Sequence, residues 1–124
     1  MKKIIIIYQN VFLNRDFNRF EIDFYLKKNL KIEIWDISKF IFKDISIPKS
    51  DFNNDYQNLK IINFSDVNSF KKKVKEIDSE TFVMTGLTLY SKSEWIFLEL
   101  EKNFIKWGYF KLSYYPINKL SFKG

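Results

Sequence analysis

Short apolar runs and segments with a helical period alternate along the chain. Lys3–Tyr8 reads KIIIIY and is apolar on both faces, which is typical of a central parallel strand covered by helices on either side. Apolar positions then recur with a 3.6-residue period and predict a helix over residues 15–28. An alternating strand follows over residues 31–37. This order of strand, helix and strand predicts a right-handed βαβ unit.

The same alternation continues through the rest of the chain. The further elements are strands over residues 59–64, 81–85 and 109–115, a helix capped by Ser65 with Val67, Phe70, Val74 and Ile77 at a 3.6-residue period, and a last helix over residues 92–107. Ser91 and Glu94 predict a capping box for that last helix, and Gly108 a glycine at its C-terminal end. Residues 38–58 lack a regular period, although KFIF predicts a helical turn.

Five strands interleaved with helices predict a three-layer α/β/α sandwich with a five-stranded, mainly parallel sheet, Rossmann-like or flavodoxin-like. The first strand is expected in the centre, between the second and the fourth, because it is apolar on both faces. With 124 residues, the chain is expected to form a single domain, residues 1–124.

Both long predicted helices carry a second apolar stripe opposite the stripe that faces the sheet. The core-facing stripes include Phe24 on the first helix and Phe104 on the last. The residues of the second stripes are Ile22, Leu26, Trp95, Leu98 and Ile105. Exposed apolar patches usually mark an interface, so these residues predict a homodimer or a further domain packed against them.

Composition narrows the classes of function. Apolar residues make up 46% of the chain and aromatic residues 19%, which is enough to build a core. The absence of cysteine and histidine excludes disulfides, thiol nucleophiles and the common zinc sites, and no metal or cofactor is predicted. The net charge of +6 comes from lysines spread along the sequence, so no nucleic-acid partner is predicted. No signal peptide or membrane span is recognisable, which predicts a cytoplasmic protein.

Ligands of parallel α/β sheets bind beyond the carboxyl ends of the strands. The candidates after the first strand are Arg15 and Arg19, the only two arginines in a lysine-rich chain, and they suggest that a planar bidentate donor is required there. Alternatively, these arginines pair with Asp16 and Asp23 on the helix surface. The candidates after the fourth strand are Thr85, Gly86 and Thr88. The two loops are expected to face one crevice, where an anionic acceptor binds.

Three better-known phosphate or nucleotide sites fit the sequence poorly. Asp36 lies where a dinucleotide-binding fold places its ribose-binding acid, but the first turn lacks the G-x-G-x-x-G pattern. No P-loop motif occurs. Asp66 and Thr85 suggest a receiver domain, yet Gln9 and Asn10 replace the acidic pair that would hold magnesium.

The segment NRDFNRFEIDFYLKKNLKIEIWDIS resembles the N-terminal region of bacterial GT-B-type glycosyltransferases that synthesise surface polysaccharides, both capsular and O-antigen. In that family an arginine-phenylalanine pair opens the first helix and a tryptophan-aspartate pair ends the second strand. The matching residues are Arg19, Phe20, Trp35 and Asp36. The resemblance covers about the first forty residues, and the remainder agrees only in the order of its elements.

The resemblance implies an acceptor-binding domain. In the family the N-terminal half receives the glycan or lipid-linked acceptor, and a C-terminal half binds the nucleotide sugar. This chain ends where the N-terminal half would finish, so the resemblance implies a fragment or split subunit that is not active alone. The loop position of Asp16 makes it the candidate catalytic carboxylate. A lipid-linked acceptor implies a location at the inner face of the membrane, with peripheral membrane contact. The alternative is a non-catalytic flavodoxin-like or receiver-like interaction module.

Overall fold

The structure is a computed structural model that describes residues 2–42, 46–87 and 93–109. Its strands are β1 (Lys3–Tyr8), β2 (Lys31–Asp36), β3 (Leu59–Asn63), β4 (Thr81–Gly86) and β5 (Trp107–Tyr109). Its helices are α1 (Asn14–Arg19), α2 (Ile22–Lys27), α3 (Ser38–Ile41), α4 (Val67–Lys75) and α5 (Glu94–Lys102).

The strands form one five-stranded sheet in the order β3-β2-β1-β4-β5, and every neighbouring pair is parallel. The predicted fold class is confirmed, with β1 between β2 and β4. This strand order is that of a Rossmann-like fold. Successive strands are added on one side of β1 up to β3 and on the other side from β4 onward. Tyr8 is in register with Asp36 on one side and with Gly86 on the other, so the three central strands end at one edge.

Helices and loops cover the sheet on both faces. One core contains Ile5 and Ile7 of β1 together with apolar residues of α3, α4 and α5. The other contains Ile4 and Ile6, with Phe12, Phe20 and apolar residues of α2. Because β1 supplies buried isoleucines to both cores, its unbroken apolar run in the sequence is explained.

The predicted first helix is in fact two helices, because Glu21 adopts a left-handed conformation with φ of 54°. The helix that follows therefore starts with a new rotational phase. Ile22, predicted to lie on the outer stripe, is fully buried, whereas Phe24, predicted to face the core, is exposed. The prediction of one continuous helix over residues 15–28 was wrong at this break.

Asn29 and Phe104 also have positive φ and follow the ends of α2 and α5. After α5, the Phe104 N–H donates to the Glu101 carbonyl and the Ile105 N–H to the Leu100 carbonyl, the pattern of a Schellman motif. The helix thus ends earlier than predicted, and Gly108 lies in β5 instead of closing the helix. Ser91 and residues 110–115 lie outside the described residues.

Helix α4 matches its predicted period but not its predicted cap. Phe70 and Val74 are buried, as the spacing predicted. Asp66, and not Ser65, caps the helix, because its carboxylate accepts a hydrogen bond from the Ser69 N–H at 2.7 Å. The hydrogen bonds from the Ser69 backbone and hydroxyl lower the pKa of Asp66.

The second apolar stripes are less exposed than expected. Leu98 is 63% exposed and supports the expectation, but Ile22 contradicts it. Leu26, Trp95 and Ile105 are partly buried against the two cores. Phe104, expected in the core, is 93% exposed, because the left-handed turn directs Ile105 inward in its place. These residues therefore do not form one continuous outer stripe.

Glu33 of β2 forms a partly buried ion pair with Lys3 of the neighbouring strand β1. Its carboxylate lies 2.8 Å from the Lys3 ammonium and accepts a hydrogen bond from the Trp35 indole at 3.0 Å. Burial by itself raises the pKa of Glu33, but the Lys3 and Trp35 hydrogen bonds and the charges of Lys3 and Lys73 outweigh it. The pKa of Glu33 is therefore lowered.

We expect Glu33→Gln to lower the free energy of unfolding by about 1 kcal/mol at pH 7. A lowered carboxyl pKa stabilises the fold above the unfolded pKa, about 4.3 for glutamate, and this contribution is lost as the pH falls through the folded value. Denaturant unfolding at pH 7 and pH 3 should show the difference between variant and wild type shrinking in acid. Glu80→Gln is the matched control, since Glu80 pairs with Lys2 at the exposed surface. An equal loss of unfolding free energy at both pH values would contradict a lowered pKa of Glu33.

Candidate functional site

A cleft of about 340 Å³ opens beside the carboxyl ends of β1 and β2. One side is the loop between β1 and α1, with Asn10, Val11 and Leu13, extended by Arg15 of α1. The opposite sides are Ser38, Phe42 and residues 46–48. Ligands of parallel α/β folds bind at this edge, so the cleft is the candidate site.

The Asp16 carboxylate fixes the loop that lines this cleft. Asp16 is 0% exposed. It accepts hydrogen bonds from the Tyr8 hydroxyl and the Leu13 N–H, both at 2.9 Å, and the Arg19 guanidinium lies 3.4 Å away. A buried carboxylate is retained only when it is paired and hydrogen-bonded, and these three donors meet that requirement. The last residue of β1 is thereby tied to the first turn of α1.

Tyr8 is buried at the same point. Burial is the main reason that the pKa of Tyr8 is raised, and the neighbouring Asp16 charge raises it further, while a hydrogen bond from Asn10 and the charge of Arg19 oppose the shift. The phenol therefore stays protonated and remains a donor to Asp16. Its ring contacts the ring of Phe20 edge-on, with centroids 5.1 Å apart.

Asp36 is the last residue of β2 and stabilises the turn that leads into α3. Its carboxylate accepts hydrogen bonds from the Ser38 N–H at 2.9 Å and from the Ser38 hydroxyl at 2.5 Å. Asp36 is buried, so it acts within the fold and does not line the cleft. Its role is to begin α3, which brings Ser38 to the cleft.

Residues 46–48 form the outer wall of the cleft, and the residues that follow them are held against α1 and the loop before it. The Asn14 N–H donates to the Asp51 carboxylate at 2.8 Å, and the Asn14 amide donates to the Asp51 carbonyl at 3.1 Å. The Ser50 hydroxyl donates to the Phe12 carbonyl. The Phe52 ring packs edge-on against that of Phe12, with centroids 5.1 Å apart. The position of residues 46–48 is set by these contacts a few residues further along the chain.

The structure separates the two arginines that the sequence placed together. Arg15 lines the cleft and is exposed, and it forms no ion pair with another described residue. Arg19 is oriented to Asp16 and does not line the cleft. The pairing alternative is thus correct for Arg19 and Asp16, although Asp16 is buried and does not lie on the helix surface, while Asp23 pairs with Lys27.

Two of the residues predicted after the fourth strand, Thr85 and Gly86, do not line this cleft. Thr85 is fully buried in β4, and its hydroxyl donates to the Gly108 carbonyl at 3.2 Å. Gly86 belongs to β4 and does not have a positive φ. It is needed for close packing, since a Cβ there would lie 3.0 Å from the Tyr8 ring. Thr88 lies outside the described residues.

Asp16 was the candidate catalytic carboxylate, but the structure gives it a different environment. It has no exposed surface and its oxygens already accept hydrogen bonds within the protein. It also does not line the cleft. We therefore assign Asp16 the role of positioning the loop.

Sequence reasoning missed several residues of the cleft. Ser38 and Phe42 follow the second strand and could have been found from the rule that loops after strands carry the site. Ile47 and Pro48 gave no such signal, since they belong to a stretch without periodicity. Their place depends on tertiary contacts made by Asp51 and Phe52.

Comparison with protein-family models, with curated proteins and with solved structures gives no match. Within residues 2–42, 46–87 and 93–109, no cluster of acidic side chains is suited to hold a metal ion. In the same ranges no helix combines the length and the apolar character required to cross a lipid bilayer.

We expect Asp16→Asn to lower the free energy of unfolding by about 2 to 4 kcal/mol, because an amide NH₂ would face donors that now share a carboxylate. Chemical denaturation measures this change. Asp23→Asn is the matched control on the neighbouring helix, since the Asp23 pair with Lys27 is exposed, and it should leave the midpoint nearly unchanged. Equal effects of the two substitutions would show that Asp16 does not hold the loop.

Proposed function

We propose that this chain is the acceptor-binding domain of a bacterial polysaccharide glycosyltransferase of GT-B type. The observation that carries the proposal is the cleft beside the carboxyl ends of β1 and β2, to which the segment that resembles that family contributes Arg15 and Ser38. The cleft combines apolar walls with neutral polar groups and one guanidinium, a lining suited to a sugar or its charged derivative.

The residues that carry the resemblance support the proposal by their positions. Phe20 and Trp35 are fully buried beneath the two faces of the sheet, and Asp36 turns the chain into α3. Arg19 neutralises the carboxylate that holds the first loop. These four residues shape the carboxyl edge of the sheet but do not line the cleft. The same framework can therefore be combined with clefts for different acceptors.

The proposed domain works with a second half that binds the nucleotide sugar, and it is not active alone. In this proposal the protein acts in the cytoplasm, at the inner face of the membrane if its acceptor is lipid-linked. Arg15 contacts the acceptor, and no catalytic residue is assigned within the described residues.

A non-catalytic interaction module is the second candidate. Leu98 and Phe104 favour it, because both are large apolar side chains exposed on or just after α5. Isolated exposed apolar residues are common on soluble proteins, however, and these two do not by themselves define an interface.

The proposal predicts that the chain binds glycans in this cleft. Saturation-transfer NMR with a panel of neutral and acidic mono- and oligosaccharides should detect binding to the wild type. Ser46→Trp should abolish it, because the indole would fill the cleft from an exposed position of its wall. Ser79→Trp is the matched control, since Ser79 is also exposed but precedes β4, at the opposite edge of the sheet.

The two candidate functions give opposite results in this experiment. Glycan binding that Ser46→Trp removes and Ser79→Trp preserves supports the acceptor-binding domain. No binding of any sugar, together with a stable self-dimer in sedimentation, would overturn it in favour of the interaction module.

A further inference from the structure

Among the residues that the structure describes, one side chain gives the cleft its charge. Arg15 is the only charged residue among the described residues that line it. The other polar side chains of the lining, Asn10, Ser38 and Ser46, are neutral. No described carboxylate compensates the guanidinium there, so the cleft attracts an anionic group.

The second arginine is not available to the same ligand. Arg19 lies 3.4 Å from the Asp16 carboxylate, which has no exposed surface of its own. Turning Arg19 toward the cleft would remove a cation from a buried anion, and such a loss is strongly unfavourable. The cleft therefore offers one guanidinium and not a pair.

We infer, resting on the proposed function, that the acceptor unit held in this cleft carries a single anionic group, either a carboxylate or a phosphate monoester on a sugar. Arg15 pairs with this group through two parallel N–H···O bonds, a geometry that guanidinium provides and ammonium does not. A diphosphate gains little, because its second charge meets no second cation among the described residues that line the cleft. Of the two arginines expected from the sequence to face an anionic acceptor, only Arg15 lines the cleft.

The apolar walls and the volume of the cleft are suited to a small ligand. The walls formed by Val11, Leu13, Phe42, Ile47 and Pro48 are apolar, as required for packing against the face of a sugar ring. The volume of about 340 Å³ is near the lower end of ligand pockets, which run from about 300 to 1,000 Å³. This size suits a single sugar unit at the end of a longer acceptor.

Calorimetric or NMR titration with matched small probes tests the inference. Methyl β-glucuronide carries a carboxylate, glucose 1-phosphate carries a phosphate monoester, and methyl β-glucoside is the neutral reference. We expect each charged sugar to bind about tenfold more tightly than the glucoside, the ratio expected for a charge-assisted hydrogen bond that is partly open to solvent. Geranyl phosphate and geranyl diphosphate, which represent a lipid source, should differ by less than about threefold.

Substitutions assign the effect to Arg15. Arg15→Gln should remove the tenfold preference and leave the affinity for methyl β-glucoside unchanged, while Arg15→Lys should keep part of it. Lys39→Gln is the matched control, because Lys39 is an exposed cation of α3 that does not line the cleft and should keep the full preference.

Two results would overturn the inference. The first is equal binding of neutral and charged sugars, which leaves the proposed acceptor-binding function in place. The second is a diphosphate bound tenfold more tightly than the monophosphate, which would require a second cation. Failure of every sugar in the glycan panel would overturn the proposed function as well, so the two failures are distinguishable.

Discussion

The arrangement of the carboxyl edge depends on one buried carboxylate. Asp16 lies with no exposed surface between the end of β1 and the first turn of α1, where Tyr8, Leu13 and Arg19 supply its donors. A carboxylate in this environment stabilises the fold only while all of its partners are in place, so it fixes their geometry. The loop from residue 9 to residue 13 and the following Arg15 are consequently held beside the cleft.

The same constraint separates the roles of the two arginines. Arg19 completes the buried network, whereas Arg15 is left at the cleft without an ionic partner among the described residues. The outer wall is attached to the same helix by Asp51, which hydrogen-bonds to Asn14. Both walls of the cleft are thus attached at α1, which also carries Arg15, the one charged side chain among the described lining residues.

The sheet was predictable from sequence because its signal is local. The isoleucine run of β1 indicated both its burial and its central place between β2 and β4. The break at residue 21 and the early end of α5 were not predictable, since Glu21 and Phe104 take left-handed conformations that neither residue favours. Only part of the cleft was predicted. Residues 46–48 are placed there by contacts of Asp51 with Asn14 and of Phe52 with Phe12, which are distant in sequence.

The most direct test of the account is an NMR titration of the two arginine side chains, which give two Nε–Hε signals that Arg15→Gln assigns. On addition of glucose 1-phosphate, the account predicts that the Arg15 signal shifts in a saturable way while the Arg19 signal stays in place, held by Asp16. A shift of the Arg19 signal, or saturable binding that moves neither signal, would contradict it.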